Sequence, residues 1–139
     1  MKYKRLLIEK KEYVLLKRLL NLSGYHSDMS LKYSLKKLSE ELQVAKILDE
    51  ETMPGDVVRL NSEIDICADN GWKKQFQLVS PANSDIRANK ISVLTPMGAA
   101  VMGYARGDSI SWVFPGGHIS VKIEGVKQRK HPLNLSVDL

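Results

Sequence analysis

The sequence predicts an α+β fold: an N-terminal antiparallel helical hairpin, in effect a short coiled coil, followed by a C-terminal antiparallel β-sheet domain with one short helix. Three observations carry this expectation. Leu31, Leu35, Leu38, Leu42 and Ala45 recur at a spacing that lays one apolar stripe along one helix face. Leu15, Leu19 and Leu22 repeat that spacing upstream, so each stripe can cover the other. After Leu48 the helical pattern ends, and short runs of β-type residues separated by turn residues take over.

The first helix is expected to begin between Glu9 and Glu12 and to end before Gly24, with Tyr13, Leu16 and Leu20 widening its apolar face. The segment from Ser23 to Met29 has turn chemistry and a length suited to joining antiparallel helices. Ser30 is the expected N-cap of the second helix, which should run from about residue 30 to 48. A pair of short helices has little stability alone, so a tight bundle with the rest of the chain is the competing arrangement. Asp49 to Asp56 is polar and holds the turn signal Pro54-Gly55, which divides the chain into a hairpin over residues 1–52 and a β-rich domain over 53–139.

Strands are expected at Val57–Leu60, Glu63–Ala68, Lys74–Val79, Ile91–Leu94, Ser109–Phe114 and Ile119–Val126. The last two form a hairpin: Ile110, Trp112 and Phe114 alternate with Ser109, Ser111 and Val113, Pro115-Gly116-Gly117 turns, and Ile119, Val121 and Ile123 alternate with polar residues. Pro96 to Gly103 has proline where a helix starts, small residues inside and glycine where it ends, which fits one short, closely packed helix. The tail beyond Lys127 carries charge without pattern and is given no role.

Composition narrows the class. A chain of 139 residues with 43% hydrophobic and 27% charged residues can bury a core and is too apolar to stay disordered. The single Cys67 cannot form an internal disulfide, and its apolar surroundings suit a buried strand thiol in a reducing cytoplasm. No stretch has the length and apolarity of a membrane span or a signal segment, so neither membrane nor secretion is expected. The net charge of +5 is concentrated in residues 1–50, which hold eleven Lys and Arg against seven Asp and Glu. Such an excess suits nucleic acid, an acidic protein surface or simple solvation.

Three blocks in order, Ile91 to Gly103, Gly107-Asp108-Ser109-Ile110 and Pro115-Gly116-Gly117, resemble the C-terminal FKBP-like domain of the GreA/GreB transcription elongation factors. Met53 to Ser62 is similar to the linker and first strand of the short-coiled-coil branch named regulator of nucleoside diphosphate kinase. The resemblance covers residues 53–126 well and the hairpin only by architecture. It implies a bacterial RNA polymerase as partner, a globular domain gripping the rim of the secondary channel, a hairpin pointing to the active centre, and at most indirect contact with the nucleic acid. Thr95, Pro96, Met97 and Gly98 match the loop and helix start through which family members contact polymerase. Tight packing of helix on sheet explains the same small residues equally well.

In GreA and GreB, acidic residues at the hairpin tip help hold a catalytic magnesium, which activates water for cleavage of backtracked RNA. The tip expected here, His26, Ser27 and Asp28, has one acid, and the next is Glu40. The resemblance therefore implies polymerase binding without cleavage, and Asp28 reads more naturally as a loop or cap residue. A peptidyl-prolyl isomerase is a second reading, weakened by few aromatics: Trp72, Phe76, Tyr104, Trp112 and Phe114. A nucleic-acid-binding module is a third, motivated by Lys10, Lys11, Lys17, Arg18, Lys32, Lys36 and Lys37. His26, His118 and His131 lie in separate segments without metal-ligand spacing, no serine sits in a nucleophile motif, and the glycines form no phosphate-binding fingerprint. No catalytic residue, metal or cofactor is expected.

Overall fold

The computed structural model describes residues 1–22, 29–114 and 117–129. The expected tip residues His26, Ser27 and Asp28, the side chain of Ser30, the turn at Pro115-Gly116 and the tail from Lys130 lie outside the described residues. The order of elements is β1 (Leu7–Glu9), α1 (Lys10–Leu22), α2 (Met29–Gln43), β2 (Lys46–Leu48), β3 (Glu63–Ala68), β4 (Lys73–Val79), β5 (Lys90–Ser92), α3 (Pro96–Val101), β6 (Ser109–Phe114) and β7 (Gly117–Lys127).

Both helices appear where the leucine stripes put them, but the second is shorter than expected. It stops at Gln43, and the last turn tightens, with the Val44 and Ala45 N–H groups donating to the Glu41 and Leu42 carbonyls. The Lys46 N–H then donates to Leu6 O at 2.9 Å, and Lys46–Leu48 pairs in parallel with Leu7–Glu9. Val44 and Ile47 are β-branched and suit this exit from the helix. Neither strand was legible in advance, because each has three residues and exists only through the other. At the other end, the Glu9 carboxylate caps α1 by accepting from the N–H groups of Lys11 and Glu12.

The main sheet has the order β5-β4-β3-β7-β6. It is mixed, which corrects the antiparallel expectation: β5 runs parallel to β4, with Gln77 opposite Lys90 and Val79 opposite Ser92. Residues 80–89, including two short 3-10 turns, carry the chain back along β4 as far as Gln77 so that β5 can run in the same direction beside its last residues. The β3, β4, β6 and β7 pairings are antiparallel, and β6 and β7 form the expected hairpin. Val57–Leu60 is not a strand of this sheet. Val57 forms an isolated bridge to Ala105, and the Val58 N–H donates to Tyr104 O.

Alternation decides which sheet face is dry. Ile64 and Ile66 on β3, Phe76 and Leu78 on β4, and Val121 and Ile123 on β7 point inward; Asp65, Gln75, Lys122 and Glu124 face water. The short helix α3 lies over the dry face, and α2 packs on α3 and β6. One apolar cluster results, containing Leu15, Leu16 and Leu19 of α1, Leu35, Leu38 and Leu42 of α2, Val101 and Met102 at the end of α3, and the sheet residues. Cys67 sits on β3 at intermediate exposure rather than fully buried.

Gly103 fixes how β1 meets this core. Its φ is +82°, and a Cβ there would lie 2.8 Å from Ile8 Cδ1 and 3.1 Å from Leu6 Cβ. Its carbonyl accepts from the Leu7 N–H. Gly103→Ala combines backbone strain with overpacking and should cost about 2 kcal/mol; urea unfolding monitored by circular dichroism checks this.

Candidate functional site

The corner at the start of α3 is built from its backbone outward. Thr95 caps the helix: its Oγ1 accepts from the Gly98 N–H at 3.1 Å and donates to Ser92 O at 2.7 Å. Pro96 occupies the first helical position, where its fixed φ suits the helix and no N–H is needed. Thr95 and Pro96 are partly exposed, whereas Met97 and Gly98 are buried. A Cβ on Gly98 would lie 2.2 Å from Ser92 O and 2.9 Å from Val93 Cα. The glycine is therefore spent on the close approach of α3 to the end of β5. Of the four residues singled out from sequence, Thr95 and Pro96 face solvent and the other two support them from within.

The glycine–aspartate block at 107–108 is also structural. Asp108 is buried and accepts from the Ala105 N–H through Oδ2 and from the Lys2 N–H through Oδ1. Asp56 accepts from Tyr3 Oη and pairs with the Lys2 ammonium. Two turn aspartates thus tie down residues 2 and 3, a long-range role that turn chemistry alone could not disclose.

Two further polar clusters join the helices to the rest of the chain. Tyr104 Oη donates to Glu41 and accepts from Lys37 Nζ at 2.9 Å, which ties α2 to the turn after α3. Burial and then the hydrogen bond to Glu41 raise the Tyr104 phenol above its ordinary pKa. The second cluster centres on Arg59. Its Nε donates to Glu12 at 2.7 Å, and its two terminal nitrogens reach Glu50. Glu12, buried on α1, also accepts from the Leu60 N–H at 2.8 Å. Burial pushes the Glu12 carboxyl upward, and Arg59 with the Leu60 N–H pulls it part of the way back; Arg59 is held firmly protonated by Glu50 and Glu12 against its own desolvation. A glutamate inside an otherwise apolar helix face was the available signal for this cluster, but its partner lies 47 positions away.

Among the described residues no three His, Cys, Asp or Glu side chains converge to hold a metal. A shallow groove of about 410 Å³ beside β3, β4 and β7 is lined by Asp65, Ile66, Lys73, Lys74, Gln75 and Glu124, without an aromatic residue. Phe76 and Tyr104 are in the core. No helix among the described residues is long and apolar enough to cross a membrane.

Two substitutions separate the corner's outer surface from its support. Thr95→Ala should cost about 1 kcal/mol through loss of the cap, and Gly98→Ala about 3 kcal/mol because its methyl meets backbone that cannot move aside. Denaturant midpoints of the two variants against the parent check the order.

The model of the family described as Transcription elongation factor, GreA/GreB, C-term matches residues 53–128. Among curated proteins, the transcription elongation factor GreA of Acidiphilium cryptum is 30% identical over 67% of this chain and 60% of its own length. The regulator of nucleoside diphosphate kinase of Escherichia coli K12 is 40% identical over 58% of this chain and 60% of its own length. In both, the match spans less than two thirds of the relative. Among solved structures, a prokaryotic transcription elongation factor GreA/GreB from Nitrosomonas europaea aligns over 89% of this chain and 98% of its own, with a TM-score of 0.70 and 31% identity. The blocks that build the α3 corner, the aspartate-held turn and the β6–β7 hairpin all fall within the matched range, and the chain belongs to the GreA/GreB transcription elongation factor family.

Proposed function

We propose that this chain is a transcription regulator that binds bacterial RNA polymerase in the cytoplasm and does not stimulate transcript cleavage. The observation that carries the reading is the family match over residues 53–128, supported by structural likeness along most of the chain. Residues 53–139 act as the FKBP-like docking unit and residues 1–52 as a shortened coiled-coil arm. Thr95 and Pro96 contact the rim of the polymerase's secondary channel, with Met97 and Gly98 holding that corner in shape from beneath.

Cleavage chemistry in this setting needs several oxygen ligands around a cation, and a lone carboxylate is a poor substitute. Asp28 is the single acid between Glu12 and Glu40. The arm therefore enters the channel without the paired acids of the cleavage factors, and any contact with nucleic acid is indirect. The basic excess of residues 1–50 favours approach to an acidic channel and makes association faster at low salt.

Equilibrium binding of the purified chain to bacterial core RNA polymerase tests the docking step. Saturable binding is expected, and Pro96→Glu, which keeps a helix-compatible residue at the first position, should weaken it at least about tenfold. Absence of binding by the intact chain would sink the reading. On backtracked complexes the chain should leave the rate of RNA hydrolysis at the polymerase's own level; added cleavage would overturn the non-cleaving part of the reading.

A further inference from the structure

We propose that Arg59 is the positioning residue of the arm: one guanidinium, fixed on the sheet domain, pins the outer helix α1 and the exit of β2 and so sets how the helix pair stands on the docking unit. The consequence for function rests on the polymerase-binding reading; the pinning itself does not.

The two helices are held differently. α2 packs along α3 and β6, while α1 contacts mainly α2, β1 and β2. Polar ties from Glu9 and Glu12, at the start of α1, converge on one place. Glu12 accepts from Arg59 Nε and from the Leu60 N–H, and Glu9, which caps α1, lies 3.9 Å from an Arg59 terminal nitrogen. The same guanidinium makes a two-pronged contact with Glu50, two residues beyond β2. Both the start of α1 and the exit of the helix pair thus meet a single planar fork, a geometry that an ammonium cannot reproduce.

Arg59 is itself held on the sheet domain. Its N–H donates to Ser62 Oγ at 2.9 Å, and its carbonyl accepts from the Ser62 N–H. Ser62 is fully buried and its hydroxyl donates to Gln128 Oε1, while Gln128 Nε2 donates to Val57 O. The loop that carries the pin is therefore tied to the segment after β7.

Removing the guanidinium leaves Glu9 and Glu12, both buried, facing each other without their shared cation. The other charges nearby are Glu50, on which Lys11 acts electrostatically, and Lys10, which pairs with Asp49 and also feels Glu51. Protonating the buried Glu12 carboxyl, which burial already pushes upward, relieves the repulsion, so the damage should be greatest at neutral pH and should shrink on acidification.

Hydrogen exchange of the full chain, parent against Arg59→Met and Arg59→Lys, tests the pin. In Arg59→Met at pH 7, amides of α1 should exchange about tenfold or more faster, with those of α2, β3 and β4 near the parent rate. Arg59→Lys should lie between the two, and the α1 difference from the parent should narrow toward pH 5 after correction for intrinsic exchange. Unchanged α1 exchange, or equal acceleration in every element, would overturn the proposal. Core polymerase binding by the parent is measured separately: its failure would remove the polymerase reading and leave the exchange result intact.

Discussion

Helices of 13 and 15 residues are too short to hold their shape in water by themselves, so the leucines of α1 and α2 must be covered by something other than each other. Here the cover is the main sheet with α3. Leu35, Leu38 and Leu42 of α2 and Leu15, Leu16 and Leu19 of α1 share one apolar cluster with Val58, Ile64, Phe76, Met97, Val101 and Ile123. Most of the stability of the helix pair is therefore tertiary, and the pair is mounted on the rest of the chain through the same contacts that form the core.

That mounting needs close approaches and buried polar partners together. Gly98 lets α3 settle on the backbone of Ser92 and Val93, and Gly103 lets Leu6 and Ile8 meet the turn that follows. Around these contacts, buried carboxylates find partners across long sequence distances: Asp108 in the Lys2 N–H, beside its local bond from the Ala105 N–H, and Glu12 in Arg59 and the Leu60 N–H. Such groups cost more when left unpaired than they return when paired, so they specify where segments dock more than they add stability.

Periodic and turn-coded elements were legible in the sequence. Both leucine stripes became helices, Glu63–Ala68 and Ser109–Phe114 became strands with the bounds expected of them, and proline and glycine framed α3. What could not be read depends on partners distant in sequence. Lys46–Leu48 continues an apolar pattern that suits a helix, and only pairing with Leu7–Glu9 makes it a strand. The parallel placement of β5 is set by the path of residues 80–89 rather than by β5's own residues. At the site, the cap and helix start at Thr95 and Pro96 were visible, but the inward use of Gly98 was not, because small size serves an internal contact and an external one equally. Arg59 carried no local signal: its role comes from acids contributed by two other segments.

The placement of α3 links these parts. Its first turn forms the partly exposed corner of Thr95 and Pro96, and its body is the surface on which α2 packs. A helix of six residues has no internal hinge, so corner and arm root share one short rigid element. Under the proposed reading, docking through the corner fixes α2 relative to the polymerase with no flexible linker between them. The direction of the arm then depends on how α1 and the β1–β2 pair are held beside α2, which places the control of arm geometry at the polar ties of residues 9–12, 50 and 59 and leaves the docking contact free of that task.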